Sequence, residues 1–255
     1  VRLNNELRRS YPSKLFCFMP VAGDQGAALG FYRYKAGQRS LDLTRLTFGE
    51  RDCGAPVKAT PGVHELDTNI ETVRFIADRL IEGFIVNVVR PEVEFGPRAL
   101  CHSSSLAVCT PEHVAAINTA NGRNTVMPMA PVVTKQAANE LFDTRDLSRT
   151  IGSDQFMVSA HDYKDPDKAP SMVGAMHDDL DGSCSGRPQI VTEGNDAFMH
   201  SLLRAMEDQG FQGLVNTSLN THGEPIVQTL EDVQALHRKW AIDCPQAFVT
   251  VILTD

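Results

Sequence analysis

Paired cysteine and histidine motifs are missing from this chain of 255 residues. Its six cysteines include no C-x-x-C pair, and its eight histidines include no H-x-H or H-x-x-x-H pair. The sequence therefore contains no self-contained metal motif of the usual spacing. Reduced thiols in a cytoplasmic protein fit this cysteine pattern best, and we expect that location.

The common motifs for phosphate binding and serine hydrolysis are also missing. There is no P-loop, no G-x-G-x-x-G following a strand and no G-x-S-x-G. Any phosphate chemistry must therefore depend on arginines and polar loops.

Positive charge and long apolar runs are scarce as well. The net charge of −8 argues against a nucleic-acid footprint, which needs a basic face. It does not exclude a small anionic substrate, because nearby arginines and lysines decide that locally. We find no signal peptide and no apolar run long enough to cross a membrane, so no membrane partner is expected.

The composition is that of a folded protein. Apolar residues make up 42% and charged residues 22%, which allows one large domain or two small ones at roughly 150 residues per domain. The segment from Val1 to Leu7 resembles the interior of a longer chain, and a truncated reading frame is expected.

Glycines and prolines interrupt residues 36–66 and predict a connector there. Beyond it, helical spacing alternates with short apolar runs. Helices are predicted over 70–84, 110–118, 196–208 and 229–240, the first of them capped by Asp67 or Thr68. Strands are predicted over 84–89, 105–109, 156–160, 172–176, 214–217 and 247–253. This alternation predicts an α/β or α+β fold.

Three arginines lie in loops suited to anions, next to the ends of predicted strands or helices. Gly96-Pro97-Arg98 is a stiff turn that would present a guanidinium group to a phosphate or carboxylate. Arg123 follows a helix end, and Arg187 precedes a strand together with Gln189. The alternatives are a surface turn for Arg98, a cation at a helix C-terminus for Arg123 and an exposed basic loop for Arg187.

A strand that runs into small polar side chains is the most suggestive segment. Asn216, Thr217, Ser218 and Asn220 end the run, and Gly223-Glu224 follow. Such donors beyond a strand end can bind anionic oxygens. The alternative is a loop whose Asx-turns satisfy its own backbone.

Three other residues lie near these loops or in an earlier turn. Asp24, in a glycine turn near the start of the chain, is a candidate metal ligand or a turn residue. His177 and His222 flank the polar loops and are either structural or exposed.

Taken in order, these segments resemble the NodU/TobZ carbamoyltransferase family. The family motifs are G-P-R-A-L-G-x-R-S, I-N…K-x-R-(D/E)-x-x-M-P-F-A-P, D-G-(ST)…R-x-Q, N-T-S-F-N…G-E-P-I-V and G-D-x-G-x-A-x-G-A. They are similar, in that order, to Gly96–Ser104, Ile117–Pro131, Asp181–Gln189, Asn216–Val227 and Gly23–Gly30. The resemblance covers essentially the whole chain.

The resemblance implies a fold and a domain division. Residues 1–40 would be the end of an actin-like (ASKHA) carbamoyl-transfer domain, 41–66 a connector, and 67–255 a YrdC-like domain. The expected YrdC-like fold is a twisted mixed sheet with flanking helices.

The resemblance also implies a function and a site. The YrdC-like part would form carbamoyl adenylate from carbamoyl phosphate and ATP with Mg²⁺, for transfer to a hydroxyl of a small-molecule acceptor. Arg98, Arg123, Ser218 and Asn220 would be catalytic. The residues that bind substrate or nucleotide would be Gly96, Pro97, Arg187, Gln189, Asn216, Thr217, Gly223 and Glu224.

The rest of the enzyme is expected outside this chain. Asp24 matches an aspartate that binds iron in the family, whose histidine ligands would lie in a missing N-terminal half or a separate subunit. A homodimer is a further alternative.

Four positions depart from the family motifs. Asn121 stands where K-x-R has lysine, Ser103 and Cys101 replace an arginine and a glycine, and Met129 replaces an aromatic residue. Each lost cation would weaken anion binding by about 1–3 kcal/mol. The alternative function is therefore a catalytically weakened module that binds a nucleotide or RNA, although the acidic charge disfavours RNA.

Overall fold

The structure is a computed structural model. It describes residues 48–51, 59–94, 98–123, 129–143, 153–179, 182–243 and 248–254, together with residues 10, 35 and 96 singly. The predictions for the glycine turn and Asp24 lie outside the described residues, as does Pro97.

Twelve short strands are present in the described part of the chain. In chain order they are β1 (Phe48–Glu50), β2 (Val63–Asp67), β3 (Ile85–Val89), β4 (Glu92–Glu94), β5 (Ser103–Val108), β6 (Ala130–Thr134), β7 (His161–Asp162), β8 (His177–Asp178), β9 (Cys184–Gly186), β10 (Gln189–Val191), β11 (Leu214–Ser218) and β12 (Phe248–Thr254). Seven of them form one sheet in the order β10-β6-β11-β5-β3-β12-β2.

Strand direction in this sheet is mixed and places one set of strand ends together. Strand β12 runs parallel to β2 and β3, β5 runs antiparallel to β3 and β11, and β6 runs antiparallel to β11 and parallel to β10. The C-terminal end of β11 therefore lies at the same edge as the N-terminal ends of β5, β6 and β10. The polar loops that flank these strands meet at that edge.

Five helices of seven residues or more are described. They are α1 (Ile70–Ile81), α2 (Pro111–Ala120), α3 (Lys135–Leu141), α4 (Ala197–Glu207) and α5 (Leu230–Asp243). Thr110 caps α2 and Asp196 caps α4 through their side chains, as N-cap residues of these types do. The predicted cap of α1 was wrong, because Asn69 accepts the backbone N–H groups of Glu71 and Thr72 there.

Helices cover both faces of the large sheet. On one face α1 and α4 pack through residues such as Ile76 and Leu202. On the other, α2 and α3 pack through residues such as Ile117, and α5 buries Trp240. Two covered faces explain why β3, β5, β6 and β11 are buried along nearly their whole length rather than at alternate residues. The predicted mixed α/β sheet with flanking helices is confirmed.

Two predicted strands, over 156–160 and 172–176, are absent. The first segment begins in the last residue of a short 3-10 helix, and most of the second segment lies within another. These helices span Ser153–Phe156 and Pro170–Ala175. Proline begins the second helix, and the backbone N–H of Gly174 donates to the carbonyl of Cys109. The segment is therefore an apolar cover for the sheet rather than part of it. Nearby, β7, β9 and β8 form a separate three-stranded sheet.

Parts of the predicted connector pack against the large domain. Strand β1 pairs with β4, and β2 forms the edge of the seven-stranded sheet. Arg51 is buried, and its guanidinium group donates to the carbonyls of Arg90 and Val227 and to Ser103 Oγ.

Among the described helices, none is both long enough and apolar enough to span a bilayer.

Candidate anion-binding site

An open cavity of about 250 Å³ lies where the loops at the β11 edge of the sheet meet. Three guanidinium side chains and the polar end of β11 line it. The lining residues are Arg98, Ala99, Arg123, Met129, Ala130, Met157, Arg187, Asn216, Thr217, Ser218 and His222. None of these residues is acidic.

The three arginines reach the cavity from separate segments. Arg98 is exposed on the loop before β5, Arg123 is half-buried after α2, and Arg187 is half-buried before β10. Within the part of the chain that the structure describes, none of the three guanidinium groups forms a hydrogen bond or an ion pair. Their donors are therefore available to an anion.

The electrostatics of the cavity disfavour positive charge in the free protein. Burial lowers the pKa of Arg187 from 12.5 to about 10, and the nearby charge of Arg98 lowers it further in the same direction. Burial also lowers the pKa of Arg123. Unpaired, partly desolvated cations of this kind favour an anionic ligand.

A buried carboxylate organises the loop that carries Arg98. Glu94 Oε1 accepts the backbone N–H groups of Leu100, His102 and Ser103 at 2.7, 2.9 and 3.0 Å. Glu94 is 4% exposed, so these charge-assisted bonds are shielded from water. Sequence reasoning missed this role; the only signal was a glutamate at the end of a strand, two residues before the first glycine of the G-P-R turn.

The loop after β11 is held by its own side chains. Ser218 Oγ donates to Asn220 Oδ1 at 2.6 Å, and Asn220 Nδ2 donates to the carbonyls of Glu224 and Thr221. Gly223, at φ +86°, completes the turn. Asn220 therefore positions this loop, and Asn220 and Glu224 line a neighbouring cleft beside Lys239 rather than the arginine cavity.

A buried network joins three of the segments that form the cavity. Asn216 Nδ2 donates to Gln189 Oε1 at 2.7 Å and to the carbonyl of Ala99 at 3.3 Å. It also contacts Cys101 Sγ, which in turn donates to Gln189 Oε1. Cys101 has φ +70°, a conformation that suits the glycine of the family motif.

The structure thus brings together six of the predicted site residues. Arg98, Arg123, Arg187, Asn216, Thr217 and Ser218 all line one cavity. Gln189 lies behind Asn216, and Asn220, Gly223 and Glu224 belong to the adjoining loop. Gly96 is not among the lining residues. His222 lines the cavity, whereas His177 does not, and burial lowers the pKa of His177.

The structure places two of the positions that depart from the family motifs in its interior. Asn121 is completely buried, and among the described residues neither its Nδ2 nor its Oδ1 has a hydrogen-bond partner. Ser103 is buried and accepts a hydrogen bond from Arg51. Neither residue lines the cavity, and three arginines supply its cationic side chains.

A metal centre is not formed by the described residues. Among them, no three histidine, cysteine, aspartate or glutamate side chains group closely enough to hold an ion. Asp24 lies outside the described residues, so its predicted role stays a prediction.

The fold and the cavity define the chain as a mixed α/β protein with a cationic site at the strand ends. A protein-family model described as "Carbamoyltransferase C-terminus" matches residues 77–249, well over half of the chain. The chain belongs to this carbamoyltransferase family, and the resemblance read from its motifs is confirmed.

Several curated proteins are similar over most of the chain. Nodulation protein NolO of Bradyrhizobium diazoefficiens is 31% identical over 84% of this chain and 40% of its own length. An uncharacterized protein of Methanocaldococcus jannaschii is 27% identical over 91% of this chain and 44% of its own. The 3'-hydroxymethylcephem-O-carbamoyltransferase of Amycolatopsis lactamdurans is 30% identical over 62% of this chain and 28% of its own. The chain spans less than half the length of these relatives.

Two solved structures overlap with the fold in part. P. abyssi Sua5, solved as a double variant, covers 74% of this chain and 52% of its own, at 13% identity and a TM-score of 0.46. Full-length HypF, in its phosphate- and nucleotide-bound form, covers 72% of this chain and 24% of its own, at 15% identity and a TM-score of 0.45. The family assignment depends on the sequence match instead.

Proposed function

We propose that this chain forms the activating part of an O-carbamoyltransferase. It binds carbamoyl phosphate and ATP. Water cleaves carbamoyl phosphate to carbamate and inorganic phosphate, and a carbamate oxygen then attacks the α-phosphorus of ATP to give carbamoyl adenylate and release pyrophosphate. The carbamoyl group then passes to a hydroxyl of a small-molecule acceptor. The family membership supports carbamoyl transfer in general, and the cavity supports the steps that handle phosphate.

The observation that carries the proposal is the convergence on one cavity of three arginines whose guanidinium groups have no partner among the described residues. Two polyanions repel each other, and holding them together requires several positive groups in fixed positions. Arg98, Arg123 and Arg187 come from separate loops, so each can contact a different set of oxygens. Ser218, at the end of β11, adds a hydroxyl group beside them.

Each arginine has a distinct expected role. Arg98 makes the first contact with the incoming anion, because its exposed side chain is more mobile than the two half-buried ones and extends further into solvent. Half-buried Arg187 contributes more to transition-state stabilisation, because its charge is less screened by water. Ser218 Oγ already donates to Asn220, so its lone pairs are free to accept a hydrogen bond from the ligand.

The cofactors follow from this chemistry. The described lining contains no carboxylate to hold Mg²⁺, so the ion would arrive bound to the phosphates of ATP. Iron does not fit the described residues, because no ligand set for it occurs among them. We therefore assign acceptor binding and final transfer to the additional length that the curated relatives possess, whether in the same chain or in another subunit.

An isotope-exchange experiment tests the proposal. The purified chain is incubated with ATP, Mg²⁺ and labelled pyrophosphate, with and without carbamoyl phosphate, and label in ATP is measured. Exchange that requires carbamoyl phosphate is expected, because adenylate formation is reversible. Exchange should fall at least tenfold in Arg123→Ala.

The matched control is Arg204→Ala, which removes an arginine that pairs with Glu207 on α4, away from the cavity. Its exchange rate should equal that of the unaltered protein. Absence of exchange together with absence of ATP binding in the unaltered protein would contradict the proposal.

A further inference from the structure

Asn216 is a buried amide among the residues that line the arginine cavity. It is 2% exposed, lies on β11 and is two residues from Ser218. Its backbone pairs with Leu106 of β5 and Ala130 of β6, so the strand on both sides holds it in place. A side chain so fixed can act as a selective contact.

The orientation of this amide is set by its nitrogen. Asn216 Nδ2 lies 2.7 Å from Gln189 Oε1 and 3.3 Å from the carbonyl oxygen of Ala99. The Ala99 carbonyl can only accept hydrogen bonds, so the group facing it must be the NH₂ end of the amide. Both N–H groups are therefore used within the protein.

The oxygen of the same amide is left without a partner. Asn216 Oδ1 is buried and receives no hydrogen bond from any residue that the structure describes. Leaving a buried acceptor unpaired is unfavourable, and such atoms in folded proteins call for a specific explanation. A donor supplied by a bound ligand is one such explanation, since the residue lines the cavity.

We propose that Asn216 Oδ1 accepts a hydrogen bond from the amide N–H of the bound ligand and selects carbamoyl compounds over acyl phosphates without such a donor. This inference rests on the proposed function, because it assigns a specificity residue to the same cavity. A carbamoyl group carries an NH₂ with two donors, whereas an acetyl group carries a methyl group in the same place. The methyl group would leave Oδ1 unpaired in a site closed by ligand.

The selectivity that results should be large. Sites built to bond a polar group reject an analogue that lacks it much more strongly than apolar pockets reject a missing methylene. One neutral hydrogen bond at a buried acceptor corresponds to a preference of about 10- to 100-fold.

Two stable phosphonates test the inference. Phosphonoacetamide and acetonylphosphonate share a phosphonate and a carbonyl group and differ by NH₂ against CH₃. Their dissociation constants are measured by isothermal titration calorimetry with the whole chain. The unaltered protein should bind phosphonoacetamide about 10- to 100-fold more tightly, and Asn216→Leu should bind the two compounds equally.

Two further variants separate recognition from packing. Cys101→Ala removes one contact of the same network but keeps Asn216 bonded to Gln189 and Ala99, so the preference should persist. Asn216→Asp keeps an acceptor oxygen, so the preference should persist there too, with weaker binding of both phosphonates because of the added negative charge. If Asn216→Leu does not fold, Asn216→Asp provides the test, and loss of the preference in that variant would contradict the inference.

The remaining outcomes are distinguishable. If the unaltered protein binds both phosphonates equally, the role of Asn216 is wrong and the proposed function stands. If Cys101→Ala also loses the preference, the network acts by positioning and the inference is overturned. If neither compound binds, the proposed function fails and this inference fails with it.

Discussion

Replacing Arg187 by methionine should raise the stability of the free protein while weakening its anion binding. The change removes a guanidinium group that has no partner among the described residues but retains an unbranched apolar stem of similar length. It therefore isolates the charge from most of the packing.

The magnitude of the gain in stability follows from the pKa of Arg187. Folding lowers this pKa from 12.5 to about 10, so the charged form is disfavoured in the folded state by roughly 3 kcal/mol at most. Because the folded pKa is the lower one, this penalty is fully present at pH 7 and fades only as the pH rises above about 10. After some loss of packing, we expect a net gain of about 1 kcal/mol, which raises the melting temperature by about 2–4 °C in a chain of this length.

The loss in binding is expected to be larger. A charge-assisted hydrogen bond contributes about 1.5–3 kcal/mol, so the dissociation constant for phosphonoacetamide should increase about 10- to 100-fold. Thermal melting followed by circular dichroism measures the first effect, and calorimetric titration measures the second.

The reasoning would be refuted by a variant that melts at a lower temperature and binds as tightly as the unaltered protein. Such a result would mean that Arg187 pairs with the protein rather than with a ligand. Arg98→Met serves as the comparison. Because Arg98 is exposed, the Arg98→Met variant should bind phosphonoacetamide more weakly with little change in melting temperature.

Three other predictions concern stability. Glu94→Ala should lower the free energy of unfolding by about 3 kcal/mol in urea, because three buried N–H groups lose their acceptor, whereas Glu92→Ala, at an exposed carboxylate, should leave it unchanged. Burial lowers the pKa of His102 from 6.5 to about 2, so stability should fall by about 1.4 kcal/mol per pH unit below pH 6.5, a slope that His102→Gln should reduce. Gly174→Ala should lower the melting temperature, because a Cβ there would lie 2.7 Å from a backbone oxygen, whereas Gly194→Ala has open space and should not. Equal urea midpoints for the two glutamate variants, the same pH slope in His102→Gln, or equal melting temperatures for the two glycine variants would each contradict the respective account.

Local signals were sufficient for much of the fold. The helix α4 has apolar residues at helical spacing and an aspartate cap, and β11 is a short apolar run that ends in polar residues. Edge strand β2 was missed because its pattern is mostly exposed and its pairing with β12 joins residues far apart in sequence. The apolar run around Met172 was mistaken for a strand, since periodicity does not distinguish a buried strand from a buried 3-10 helix.

The arginines of the candidate site could be predicted from the sequence, but the hydrogen bonds that hold its loops could not. Arginines in loops are visible in the sequence, and the resemblance to the family selected three that line one cavity. The roles of Glu94 and Asn216 depend on hydrogen bonds to distant backbone and side-chain groups, which sequence spacing does not reveal. Asn220 was predicted to be catalytic, but its contacts are those of the loop-stabilising alternative.

The location of a bound ligand tests the central claim most directly. Crystals of the chain grown with phosphonoacetamide and a non-hydrolysable ATP analogue should show phosphonate oxygens within about 2.7–3.2 Å of guanidinium nitrogens of Arg98, Arg123 or Arg187. Ligand density confined to the cleft beside Lys239, with the three arginines uncontacted, would contradict the account.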